Sequence, residues 1–423
     1  MKKMQLIRQS ALYLLLVGVF LGISSCNIQN DTSEDSSYTI NNNGEALESR
    51  LTDQDSEIEI EIVPQSSVTG KVSTQQSFTL NLIADVDAPT VNGIQTQATM
   101  VHIFGNSARA AASYNVQGND YTGAVDALQI TSSGKNALRI RSGIEFSSAK
   151  ANAVFIGNNN IWIAHSSEDP ALTEDEGFSA VRMFGLSGFN INNNPTGAGL
   201  PGFAANSIHQ ADGRVYVTSG NNAGLTVLDE NLSETLAFVD IPGARWVDSD
   251  EQRIVVLSGN PESGTGTITV LDIDDFSIVA EYSFDGADTP EAKSTVEIRG
   301  DLALVAAGQA GTLLIDLNNG TRVATIPVPD AESMGLNPDV VETNAASADD
   351  EFIFISNGEA GVYVAEANKN LEHYESGDEI TIELIGSLKF ENFESANHVA
   401  YRNKMLFVAA GLGGVKAVQL NRK

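Results

Sequence analysis

Cysteine is almost missing: Cys26 is the only one in 423 residues. Disulfides therefore take no part in the fold, and no thiol nucleophile exists beyond that one position. Positive charge is scarce too, with 24 Lys and Arg against 55 Asp and Glu and a formal charge of −31. Phosphate backbones are gripped by clustered Lys and Arg, so nucleic acid is excluded as a partner. A polybasic hold on anionic lipid is excluded on the same ground. The acidity favours solubility and a weak pull on divalent cations. Catalytic signatures are also missing. The chain has no Gly-x-Ser-x-Gly, no His-Glu-x-x-His, no Walker loop and no EF-hand loop. Helix signatures are few, and the longest apolar run is shorter than the about 20 residues a membrane span needs.

That run lies at the start. Lys2, Lys3 and Arg8 precede Ala11 to Ile23, and Ser24-Ser25-Cys26 follow. A basic stretch, a short apolar stretch and small residues before a cut are the parts of a secretory signal, here residues 1–25. A lone thiol in an exported protein is odd, and lipid on Cys26 removes the oddity. Residues 26–70 read as an acidic flexible stalk, too polar over Asn27 to Ser56 to bury a core. The alternating "EIEIEIVP" at Glu57 to Pro64 fits either an added edge strand or the stalk.

From residue 75 to 423 the chain is a repeat. Seven segments align: "ATMVHIF" at Ala98, "ANAVFIG" at Ala151, "ANSIHQA" at Ala205, "ARWVDSD" at Ala244, "KSTVEIR" at Lys293, "ETNAASA" at Glu342 and "ANHVAYR" at Ala396. They recur about every 50 residues, the length of a propeller blade. Second, third and outer strands follow most of them, as in "RVYVTSG", "GLTVLDE" and "TLAFVDI" after Ala205. Four short strands, seven times over, predict an all-β fold, a seven-bladed β-propeller. The seventh repeat shows three strands, ending in "GVKAVQL". An open edge there invites aggregation, so the alternating "SFTLNLIADV" at Ser77 to Val86 is expected to close the ring as the missing strand.

The residues Gly213 to Gly243, "GRVYVTSGNNAGLTVLDENLSETLAFVDIPG", resemble the YVTN type of propeller repeat. "GLTVLD", "GTITVLDI" and "GTLLIDL" resemble the LVIVD repeats of bacterial surface proteins. Ile23-Ser24-Ser25-Cys26 resembles the lipobox of bacterial lipoproteins, which implies lipidation at Cys26. Asn27 stands where many inner-membrane lipoproteins carry Asp, so the resemblance implies the outer membrane, on its surface or periplasmic side. These motifs are apolar strands and turn glycines, which speak for fold rather than function.

Two rings of residues emerge from the alignment. Its second position holds Thr99, Asn152, Asn206, Arg245, Ser294, Thr343 and Asn397, all polar, a candidate ligand ring at a channel mouth. Its fifth holds His102, His209, Asp248 and Glu297 with Phe155, Ala346 and Ala400, and His398 lies two places earlier in its own strand. Three His and two acids around one axis are weak candidates for a divalent cation, against the plainer reading of structural histidines. His165 and His373 read as loop residues. The pairs Gly308/Gly311, Gly358/Gly361 and Gly411/Gly414 read as turns, not phosphate loops, since no helix starts after them. The loop His165 to Phe178 packs Glu168, Asp169, Glu174, Asp175 and Glu176 together, which could hold calcium through oxygen ligands, but its spacing matches no calcium loop and the acids read as solvated. Leu186 to Phe203 is a long Asn/Gly insertion, the kind of loop on a rigid scaffold where recognition surfaces often form. The composite expectation is a lipid-anchored scaffold that binds a protein or a glycan. The alternative is a cation-assisted hydrolase or lyase at the channel mouth.

Overall fold

The computed structural model describes residues 37–61, 78–105, 108–131, 136–170, 172, 178–220, 223–289, 293–389 and 395–423. Seven antiparallel sheets stand around one axis as a β-propeller, and each repeat read from the sequence is one blade. The inner strands are Gln97–Ile103, Ala149–Ile156, Ser207–Ala211, Ala244–Ser249, Val296–Arg299, Ala345–Asp349 and His398–Arg402. Middle strands such as Leu302–Ala306 and Phe352–Ser356 are apolar because each is packed on both faces, whereas outer strands such as Ile278–Asp285 alternate buried and exposed positions at the rim. The core lies between blades. Tyr216 and Val227 of blade 3, for instance, pack against Val247 and Val256 of blade 4.

The ring closes as expected. Phe78–Val86 pairs antiparallel with Val415–Arg422, from Phe78 opposite Arg422 to Val86 opposite Val415, and supplies the outer strand of blade 7.

The stalk expected over residues 26–70 is corrected where the structure describes it. Tyr38–Asn41 adds a fifth strand to blade 1, pairing with Leu138–Phe146, and Leu51–Ile58 adds one to blade 7, pairing with Phe78–Val86. Glu61 then bridges Ser387 at the rim of blade 6. The propeller unit thus begins well before residue 75. The polarity that suggested a stalk is what an edge strand facing water carries. Arg50 fixes this segment to the ring through a two-pronged ion pair with buried Asp126, at 2.7 and 3.1 Å. The signal segment and Cys26 lie outside the described residues. Among the described residues no helix is long and apolar enough to cross a membrane.

Candidate functional site

The inner strands run from an upstream face, where each begins, to a downstream face, where each ends. Side chains alternate along them, and the fifth aligned position faces the axis in all seven blades. His102, Phe155, His209, Asp248, Glu297, Ala346 and Ala400 line one axial cavity of about 140 Å³. Met100, Trp246 and His398 continue its wall upstream, and Arg299 and Arg402 downstream. On the upstream side Lys293 of blade 5 crosses the axis and donates to the Asn152 carbonyl of blade 2 at 3.1 Å. Its ammonium lies 5.6 Å from the centre of the Trp246 ring, and burial pulls its pKa down to about 8.

Two carboxylates, Asp248 and Glu297, and two guanidinium groups, Arg299 and Arg402, line the cavity. Asp248 takes His209 Nδ1 at 3.2 Å on one oxygen and the Ile298 N–H at 2.8 Å on the other. Glu297 accepts from the Ser347 hydroxyl and the Ala348 N–H and pairs with Arg299. Arg402 lies 3.4 Å from Glu372, which Arg299 also reaches at 3.2 Å. The imidazoles are held neutral. Burial lowers His102 to about 3, lowers His209 against the pull of Asp248, and sets His398 well below its ordinary value. Among the described residues no three His, Asp or Glu come together as metal ligands. His102, His209, Asp248, Glu297 and His398 thus share a cavity, as the alignment suggested, without forming a ligand set.

The polar ring at the second position is placed differently from the expectation. Thr99, Asn152 and Arg245 sit at β-bulges, where the register slips by one residue. A bulge re-aims its side chain, and these turn toward the next blade instead of the channel. Asn152 Nδ2 donates to the Ala205 carbonyl at 2.9 Å, Asn397 Nδ2 to that of Ala98 at 2.9 Å, and Asn206 Nδ2 to that of Ala244 at 3.5 Å. Arg245 donates to the Thr289 carbonyl, and Thr343 to Asn357 within its own blade. Ser294 is fully buried, at a φ of 51°. None of the seven lines the axial cavity. Asn152, Asn206, Arg245 and Asn397 form a belt that ties blade to blade. His165, read as a loop residue, lies in the strand Asn160–Ser167, fully buried, with Nδ1 3.2 Å from the Lys150 carbonyl.

The long loops of blades 1 and 2 build a second feature, on the upstream face. Tyr121 and Phe178 stack at 5.2 Å between ring centres, and Phe178 meets Phe203 edge-on at 5.1 Å. Phe203 is 61% exposed, the most open aromatic side chain among the exposed apolar residues. Lys150 lies over the other ring of the ladder, 5.9 Å from the centre of Tyr121. Phe203 ends the segment marked in the sequence as a recognition loop, and Phe178 ends the acidic loop read as solvated. The carboxylates Glu174, Asp175 and Glu176 lie outside the described residues, while Asp169 is spent on an ion pair with Arg182.

No family model matches the chain, and no curated protein matches it in sequence. Solved structures do resemble it in shape. The structure of U3-55K superposes with a TM-score of 0.52 at 12% identity, over 79% of this chain and 98% of that one. The Pan2 WD40 domain of Neurospora crassa superposes at 0.50 with 11% identity, over 77% and 89%. At such identity the likeness defines a class by fold alone: a seven-bladed β-propeller.

Proposed function

We propose that this chain is a binding module, a propeller held on a bacterial outer membrane by lipid on Cys26, with its upstream face docked to a protein partner. The observation that carries the reading is the ladder Tyr121–Phe178–Phe203. Aromatic rings in mutual contact and open to water are what the centres of protein interfaces use, and they carry much of the binding energy. Loops on a rigid ring are suited to present them. Propeller folds commonly act as such scaffolds, and the resemblance of these repeats to those of bacterial surface proteins agrees. The lipobox-like Ile23 to Cys26 and the Asn27 after it support the anchor and its membrane. The equal carboxylates and guanidinium groups along the axis, with no cluster of metal ligands among the described residues, favour binding over a cation-assisted hydrolase or lyase.

A photo-crosslinking residue at position 203, in cells, tests the surface. The expected result is one discrete protein adduct that disappears with Phe178→Ser, and none from the same residue at exposed Val279 on the rim of blade 4. Equal adducts at both positions, or none at 203, would count against the upstream face. Cys26→Ser should move the protein from the membrane pellet to the soluble fraction, and a variant that stays in the pellet removes the anchor from the proposal.

A further inference from the structure

The axial cavity has a chemistry that the upstream face does not use. Its two carboxylates and two guanidinium groups cancel in charge, so a ligand bearing net charge finds no excess of opposite charge among them. What remains on offer is neutral and directional. His102 Nδ1 accepts the Ile156 N–H at 3.2 Å, so the neutral ring carries its proton on Nε2 and presents a donor. His209 has the opposite tautomer. Its Nδ1–H faces Asp248 at 3.2 Å, leaving Nε2 as an acceptor. The two imidazoles flank the Phe155 ring, with centres 4.2 and 5.4 Å away. His398 is 94% buried, and its Nδ1 has no hydrogen-bond partner among the described residues. Such an unpaired buried nitrogen is costly unless something in the cavity satisfies it. The remaining wall is apolar and aromatic: Phe155, Trp246 and Met100. The volume, about 140 Å³, is close to the about 150 Å³ of an engineered cavity that takes up benzene.

We propose that the axial cavity binds a small uncharged ring bearing a hydroxyl group, which donates its proton to His209 Nε2 and accepts from His102 Nε2. Asp248 is a positioning residue for this site, because it sets which nitrogen of His209 carries the proton. The bar of Lys293 closes the upstream side, so the ligand enters from the downstream face, past Arg402.

The test titrates the mature protein calorimetrically with four benzene-sized probes: phenol, anisole, benzoate and benzylammonium. Phenol should bind saturably. Anisole, with no proton to donate, should bind about tenfold more weakly, the worth of one hydrogen bond in a buried site. Benzoate and benzylammonium should bind more weakly still. Asp248→Asn then reverses the tautomer of His209, since an amide N–H now faces Nδ1, and the advantage of phenol over anisole should vanish. These native-protein comparisons need no variant, so the proposal is testable even if Asp248→Asn does not fold. It is overturned if phenol shows no saturable binding, if benzoate or benzylammonium matches phenol, or if a folded Asp248→Asn keeps the preference for phenol.

Discussion

Gly414 passes so close under Val86 that a Cβ built on it would stand 1.9 Å from the Val86 carbonyl oxygen. The same approach recurs in blades 5 and 6, which are continuous in sequence: Gly311 against Ile326 and Gly361 against Leu388, both at 2.3 Å. The strand that precedes blade 1 thus takes the place of an ordinary outer strand at the seam, down to the contact of its last residue. Gly414 also has a φ of 74°. Gly414→Ala should therefore cost about 3 kcal/mol or more, the handedness penalty plus a displaced strand. Gly335 has a φ of 69° with nothing near its missing Cβ, so Gly335→Ala should cost only about 1–2 kcal/mol. Urea unfolding of both variants separates the terms, and equal losses would refute the contact at the seam.

The added N-terminal strands are fastened by charge. Asp126 is 2% exposed, and Arg50 from the segment before the ring neutralises it. Arg50→Met should cost about 3–5 kcal/mol, because a buried carboxylate is left without its partner. Adding Asp126→Asn should return most of that loss. A single variant within 1 kcal/mol of the native protein would show, by the same scale, that the segment is only loosely attached.

The belt of polar side chains should matter for stability and not for the axial ligand. Asn397→Ala leaves the Ala98 carbonyl, 2.9 Å away, without its side-chain donor at the junction of blades 7 and 1. A loss of about 1–2 kcal/mol is expected, with phenol titrations unchanged. Weaker phenol binding with native stability would restore the channel-mouth reading of Asn397.

Buried neutral histidines set the response to acid. His102 and His165 lie at about 3 when folded, against 6.5 for a free imidazole, and His398 is well below that value. Below pH 6.5 the unfolded chain therefore binds more protons than the folded one. The contribution of these groups is fully present above that pH and falls as the pH drops toward 3, by up to about 1.4 kcal/mol per pH unit for each histidine. Glu297, raised by burial, opposes the trend, while Asp229 and Asp316, both lowered from 3.8, act only below that pH. Unfolding in urea at pH 7.5, 6 and 4.5 should show the decline. His102→Phe, which copies Phe155 in the next blade, should make it shallower. An unchanged slope in that variant would exclude His102 as a source.

The wheel was legible because its signals repeat. Seven inner strands share an apolar fourth position, from Val101 to Val399, glycine pairs recur at one blade position, and an unfinished blade asks for a partner such as Phe78 to Val86. The fifth position was legible too, since alternation carries it to the axis in every blade. What misled was a single residue of slippage. The bulges at Thr99, Asn152 and Arg245 leave no mark in composition, yet each turns a side chain from the channel to the neighbouring blade. The strands at Tyr38–Asn41 and Leu51–Ile58 were hidden for another reason: at an edge, backbone pairing holds a segment that has few apolar residues to bury. The aromatic ladder joins residues from three separate loops, so no local pattern announces it.

The lysine bar across the axis turns a bore into a blind well. Whatever occupies the well must come and go by one doorway, and a molecule seated over that doorway would act as a cork. Traffic through the wheel from face to face would have to pass the grip of Lys293 on Asn152.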